Sequence, residues 1–211
     1  MTSEKKDANT VIVLDFETTG LSPDYGDRAI EIGAVKIING EISDSFQQLM
    51  NPGKRINSFI EGYTGITNAM LSKALPVKEV MLGFYDFIED YNLVAHNAAF
   101  DCRFLDSEFK RIKRKQQAEF ACSMLIARRV YQAAPNHKLG TLVEYRSLPN
   151  DGTFHRALAD AEMTAHLWLA MMDDIKSKHA LDTIPFEVMQ KLSKTAKASC
   201  DNYLSRLALK S

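Results

Sequence analysis

The chain alternates between short apolar runs and longer segments whose apolar residues return every three or four positions. Residues 11–14 are continuously apolar and bounded by polar positions, the pattern of a central strand covered on both faces. Residues 29–38 are rich in β-branched side chains, and Asn39-Gly40 follows at once, before Glu41-Ile42. An Asn-Gly pair between two such runs predicts a hairpin, so strands two and three are antiparallel neighbours. Pro52-Gly53 ends the third strand.

The period then changes. Val77, Val80, Met81, Phe84, Phe87 and Ile88 recur at helical spacing after Pro76, a residue suited to a helix start. Residues 92–95 read as a short buried strand with His96-Asn97 at its end. A helix follows from about Ala99, with Leu105, Phe109 and Ile112 on one face. Residues 120–124 read as a fifth strand, two short helices flank Pro135, and residues 156–172 form a long helix rich in Ala and Leu. A meander of three strands followed by alternating helices and strands predicts an α/β fold, a mixed five-stranded sheet flanked by helices.

At 211 residues, 45% hydrophobic and 25% charged, the chain has the size and balance of one ordinary globular core with an appendage. No segment reaches the roughly 18 apolar residues of a membrane span, and MTSEKKDANT lacks a signal peptide's apolar stretch. Cys102, Cys122 and Cys200 are odd in number and share no metal-ligand spacing, which fits reduced thiols in a cytoplasmic protein. The net charge of −1 argues against a protein that coats long nucleic acid, though not against an enzyme gripping a few nucleotides. Residues 1–9 are polar and read as a frayed, disordered N-terminal segment. Residues 177–211, with Lys191, Lys194, Lys197, Arg206 and Lys210 among apolar positions, read as one or two amphipathic helices that finish the core or meet a partner.

Candidate chemistry sits at strand and helix ends. Asp15 and Glu17 follow the first apolar run two apart, and therefore share one face of a strand that continues through them. Asp101 falls just inside the helix after the fourth strand. Alone it would be an acid offsetting the helix dipole, and Asn97 before it a cap. If the first and fourth strands are neighbours, however, Asp101 approaches Asp15 and Glu17, and three converging acids repel one another without cations. His155 precedes the long helix and Asp160 lies on its second turn. Histidine titrates in the neutral range and is the usual general base. The basic run at 110–115 fits a solvated helix end or a nucleic-acid contact.

DFETTGL, HNAAFD and HRALADA resemble the three signature segments of the DnaQ-like 3′–5′ exonucleases, in the group named for its DEDDh residue set. The group includes proofreading subunits of bacterial replicative polymerases and exonuclease X-type enzymes, and the resemblance spans about residues 11–169. It implies a ribonuclease H-like fold, an exonuclease domain over residues 10–176, and two Mg²⁺ or Mn²⁺ ions held by Asp15, Glu17, Asp101 and Asp160. It also implies His155 as the base that takes a proton from the attacking water, releasing a nucleoside 5′-monophosphate. By the same resemblance, the backbone at Phe16–Thr18 meets the terminal 3′-hydroxyl, Leu21 and Phe100 pack on the last bases, and Asn97 contacts substrate. One departure is visible: members often carry histidine before Gly-Ile-Thr, where this chain has Tyr63-Thr64. Tyr63 there can stack on a base or pack locally.

The expected substrate is single-stranded DNA or a frayed 3′ end, in proofreading or repair; the C-terminal extension is where a polymerase or other protein partner would dock, and a stand-alone enzyme fits the sequence equally. RNA trimming on the same site is the runner-up. A non-catalytic binding module would be marked by loss of a signature residue, and none is lost.

Overall fold

The computed structural model describes residues 7–150, 152 and 155–209. Strand β1 (Val11–Thr18) lies at the centre of the sheet. On one side it pairs antiparallel with β2 (Ala29–Ile38), which pairs antiparallel with β3 (Glu41–Asn51). Asn39 and Gly40 join the latter two with φ of 53° and 85°, the doubly left-handed geometry of a tight hairpin that Asn-Gly adopts readily. On the other side β1 runs parallel to β5 (Leu93–Ala95), and β5 to β6 (Phe120–Cys122). The expected five strands are all present. A sixth, the two-residue β4 (Leu75–Pro76), adds to the β3 edge, giving the order β4-β3-β2-β1-β5-β6.

Alternation along β1 builds two apolar layers. Val11 and Val13 enter one cluster with Trp168, Met171 and Ile175 of α7 (Ala157–His179), while Ile12, Leu14 and Phe16 enter the other. The second cluster is filled by α3 (Val77–Ile88) and α4 (Ala99–Arg111). Trp168 is fully buried and its indole N–H donates to Ala8 O at 2.7 Å. Of the N-terminal segment expected to be disordered, residues 1–6 lie outside the described residues, whereas Asp7 bridges to Pro185 and residues 7–9 are ordered against the core. Ala8 is fully buried, its N–H donating to Ile184 O at 2.8 Å.

Helices α5 (Ser123–Val130) and α6 (Leu139–Tyr145) flank Pro135 as expected. The fifth predicted strand stops at Cys122, and Ser123 already begins α5. The long helix runs to His179 rather than Met172, since Lys176, Lys178 and His179 suit its negative C-terminal end. Two further helices, α8 (Phe186–Lys194) and α9 (Cys200–Ala208), bury Phe186, Met189, Leu192 and Leu204 in the Trp168 cluster. The C-terminal stretch thus finishes the core. Helices α1 (Ser58–Thr64) and α2 (Asn68–Lys73) cover the β2–β3 flank through Ile30, Ile56, Ile66 and Leu71. No described helix is long and apolar enough to cross a membrane.

Candidate active site

Asp15 and Glu17 continue the row begun by Val11 and Val13, so their side chains point to the face covered by α7. Their partners across the β1–β2 ladder are Gly33 and Glu31. A Cβ at Gly33 would overlap the backbone of Ala157 and Leu158. Only glycine lets the first turn of α7 rest directly on β2, and that contact carries Asp160 over the two acids.

Glu31 fixes the same helix start. Its carboxylate, fully buried, accepts Arg156 Nη2 at 2.8 Å and Nε at 3.1 Å, the N–H of Ala157 at 3.1 Å, and Gln47 Nε2 at 3.0 Å. An Arg–carboxylate fork plus a helical N–H sets both position and direction of α7.

The ligand atoms of Glu17, His155 and Asp160 all lie within 4.8 Å of one another. Asp101, in the first turn of α4 and 2% exposed, comes from the opposite layer, and its Oδ1 accepts the N–H of Phe16 at 3.2 Å. β1 and β5 being parallel neighbours, the C-terminal ends of both open on one place, the usual location of ligands in open α/β sheets.

Electrostatics show what the cluster lacks. Burial, then Asp160, Glu31 and Asp101, push Glu17 up to about 8. Burial pushes Asp101 to about 8 even though the Phe16 N–H pulls it down. Asp160 rises to about 6, burial outweighing His155, whose charge and backbone N–H both favour the carboxylate. Asp15 rises well above the ordinary carboxylate range through burial and its neighbours Asp101, Asp160 and Glu17. Among the described residues none of the four forms an ion pair with lysine or arginine. Four neighbouring carboxylates in want of positive charge fit hard divalent cations, which Asp15, Glu17, Asp101 and Asp160 could hold.

His155 is half-buried, with φ of 61° in the left-handed region. The ring of Tyr63 lies against its imidazole, centroids 3.9 Å apart. His96 plays a different part. Its Nε2 donates to His137 O at 3.0 Å and its Nδ1 meets the Ser123 hydroxyl at 2.9 Å. Burial holds it down to about 4, so it is a neutral tie between β5 and α5.

The remaining candidates differ in their own surroundings. Leu21 is 79% exposed. Asn97 is exposed with φ of 71°, and the cap position of α4 is Ala98 instead. Phe100 packs on Phe104 at 4.9 Å. Phe16 is buried, and Thr18 gives its hydroxyl to Gly20 O at 2.6 Å. The basic run 110–115 sits at the far end of α4 from Asp101, where Arg111 approaches Glu108 at 3.7 Å and Arg114 lies over Tyr85.

Sequence reasoning passed over Glu31, Gly33 and the clamp role of Arg156. It also passed over Phe59, on a helix it did not foresee.

Residues 12–168 match the family model RNase_T, described as exonuclease. The chain belongs to this exonuclease family. Its relatives include the PolC-type DNA polymerase III of Caldanaerobacter subterraneus, 39% identical over 165 residues, and that of Bacillus subtilis, 39% over 171 residues. These alignments cover 78% and 80% of the chain but only 12% of each polymerase. Among solved structures, exonuclease X in complex with 5′ overhanging duplex DNA matches with a TM-score of 0.68 and 26% identity, over 87% of this chain and 99% of that one. The nuclease domain of 3′hExo, a DEDDh family member bound to rAMP, shares the fold with a TM-score of 0.68 at 22% identity, over 79% of this chain and 92% of that one. The chain shares the fold of these exonucleases, and the five positions expected from its sequence are Asp15, Glu17, Asp101, His155 and Asp160.

Proposed function

We propose that this chain is a divalent-cation-dependent 3′–5′ exonuclease that removes nucleoside 5′-monophosphates from single-stranded or frayed DNA ends. The observation that carries the reading is the cluster itself: Glu17, His155 and Asp160 within 4.8 Å, beside Asp15 and Asp101. Bound there, two Mg²⁺ or Mn²⁺ ions would supply Lewis-acid stabilisation of charge on the scissile phosphate.

The chain's own residues do the rest. His155, at the rim of the cluster, accepts the proton of the attacking water at an imidazole nitrogen. Asp160 anchors that histidine by accepting its backbone N–H. The Glu31–Arg156 fork holds the helix start from which both project. Leu21, Asn97 and Phe100 are the candidates for contact with the terminal bases, and the backbone near Phe16 and Thr18 for contact with the terminal 3′-hydroxyl, whereas the ring of Tyr63 is turned to His155.

DNA is favoured because the PolC relatives are DNA polymerases and exonuclease X was solved with DNA. A replicative polymerase is the partner class those relatives support, and a cytoplasmic setting goes with it. The apolar faces of α8 and α9 are taken by the core, so a partner would meet their polar faces. We take residues 10–176 as the catalytic unit and 177–211 as its extension. The test is incubation with matched, 5′-labelled DNA and RNA oligomers in Mg²⁺, Mn²⁺ or chelator. Faster shortening of DNA from the 3′ end supports the reading, and a preference for RNA would replace it with the trimming alternative.

A further inference from the structure

Tyr63 and Phe59 lie one turn apart on α1 and stack with centroids 5.9 Å apart and planes at 11°. Both are exposed, at 51% and 72%, so apolar burial does not explain their placement. The ring of Tyr63 meets His155 at 3.9 Å with planes at 32°. His155 needs such support. It stands outside α7, with a left-handed backbone that non-glycine residues adopt only when their surroundings hold them there. Asp160 fixes its backbone, which leaves the imidazole free to turn about its side-chain bonds.

We propose that Tyr63 is a positioning residue: its ring braces the imidazole of His155, with Phe59 backing it, and so holds the base in line with the cluster. This rests on the reading of His155 as the proton acceptor. A brace acts through the ring face and needs no hydroxyl. The hydroxyl nonetheless lies near the acids: burial, then Glu17, Asp160 and Asp15, push it above its ordinary range and keep it protonated. Ring and hydroxyl are therefore separable by substitution.

The experiment compares wild type, Tyr63→Phe and Tyr63→Leu in two ways. One is single-turnover cleavage of a labelled single-stranded DNA oligomer in saturating Mg²⁺. The other is the NMR position of the His155 ring protons in the substrate-free protein. Tyr63 is half exposed on a surface helix, so both variants should keep the fold, which circular dichroism checks. The brace predicts that Leu lowers the cleavage rate on the order of 3–10-fold, the scale of one aromatic contact, while Phe restores most of it. It also predicts that the His155 ring signals move in the Leu variant, where the ring current is gone, and stay in the Phe variant. Phe as impaired as Leu would assign the role to the hydroxyl and overturn the brace. A loss that disappears as enzyme is raised to saturate the oligomer, with the maximal single-turnover rate intact, would make Tyr63 a substrate contact, which overturns it equally. Unmoved His155 signals in the Leu variant would remove the stack itself. A wild-type protein that cleaves nothing would sink the exonuclease reading instead, and the NMR comparison would still decide the stack.

Discussion

Arg156 closes a two-pronged ion pair on the fully buried carboxylate of Glu31, at 2.8 and 3.1 Å, across 125 residues of sequence. The fork sits between His155 and the first residue of α7, so the geometry of His155 and of Asp160 depends on it. Removing Arg156 leaves the buried Glu31 carboxylate its charge with only the Ala157 N–H and the Gln47 amide to hold it. Arg156→Ala is expected to cost on the order of 3–5 kcal/mol and to lower the melting temperature by roughly 10 °C. Glu31→Gln keeps the shape, loses only the charge, and should cost less. Thermal unfolding of both variants checks the order, and equal melting temperatures for Arg156→Ala and wild type would remove the clamp.

Gly33 tests the same joint from the strand side. Gly33→Ala forces a methyl into the backbone of Ala157 and Leu158. A destabilisation of about 1–3 kcal/mol is expected, with cleavage reduced at least tenfold because Asp160 moves with α7. Gly83, whose Cβ would meet only Phe46 at 3.9 Å, provides the control: Gly83→Ala should be tolerated. Circular dichroism melts and initial rates on the two variants are compared directly.

The raised carboxylates give a pH prediction with a definite sign. A carboxyl raised in the fold favours the protonated native state. Its stabilising contribution is complete below the ordinary carboxylate range and is lost as pH rises through the folded value. For Asp160 that value is about 6, and for Glu17 and Asp101 about 8. In chelator, the melting temperature should therefore fall between about pH 4, the ordinary carboxylate value, and pH 8. Added Mg²⁺ should restore it, and by more at the higher pH, since ionised carboxylates bind the cation. Asp101→Asn should flatten both trends. A Mg²⁺ increment that is constant across the range would contradict the assignment of these groups to cation binding.

How much of this was readable in advance divides along one physical line. Local signals carried well. Asn39-Gly40 announced its hairpin because the turn geometry is fixed by two residues, and residues 11–14 announced a central strand because both its faces are apolar. The signature segments named Glu17, His155 and Asp160, whose ligand atoms the fold brings within 4.8 Å of one another. What failed to show was either short or non-local. Helices α1 and α2 have only seven and six residues, too few for a period to emerge. Their signal lay in the caps, where Asn57 accepts Ile60 N–H and Thr67 accepts Met70 N–H. Glu31 looks like any polar residue in a strand. Its role exists only because Arg156 meets it in space, and no spacing rule connects the two.

His155 and Asp160 should separate by their effects. His155→Ala removes a proton acceptor and is expected to slow cleavage by about 10²–10⁴-fold. Because the four carboxylates stay in place, Mn²⁺ binding measured by calorimetry should weaken far less than the rate. Asp160→Asn removes one anionic donor and should weaken Mn²⁺ binding and abolish cleavage together, with the fold retained. A His155→Ala enzyme of unchanged rate would take His155 out of the chemistry.

The central claim is that this carboxylate cluster hydrolyses DNA from the 3′ end with bound divalent cations. The direct measurement is the product ladder of a 5′-labelled single-stranded DNA oligomer, run with Mg²⁺, with chelator, and with Asp160→Asn. The predicted result is a 3′-shortening ladder with released nucleoside 5′-monophosphates in Mg²⁺ alone, and intact oligomer in the other two. Shortening that persists in chelator or in Asp160→Asn would contradict the account.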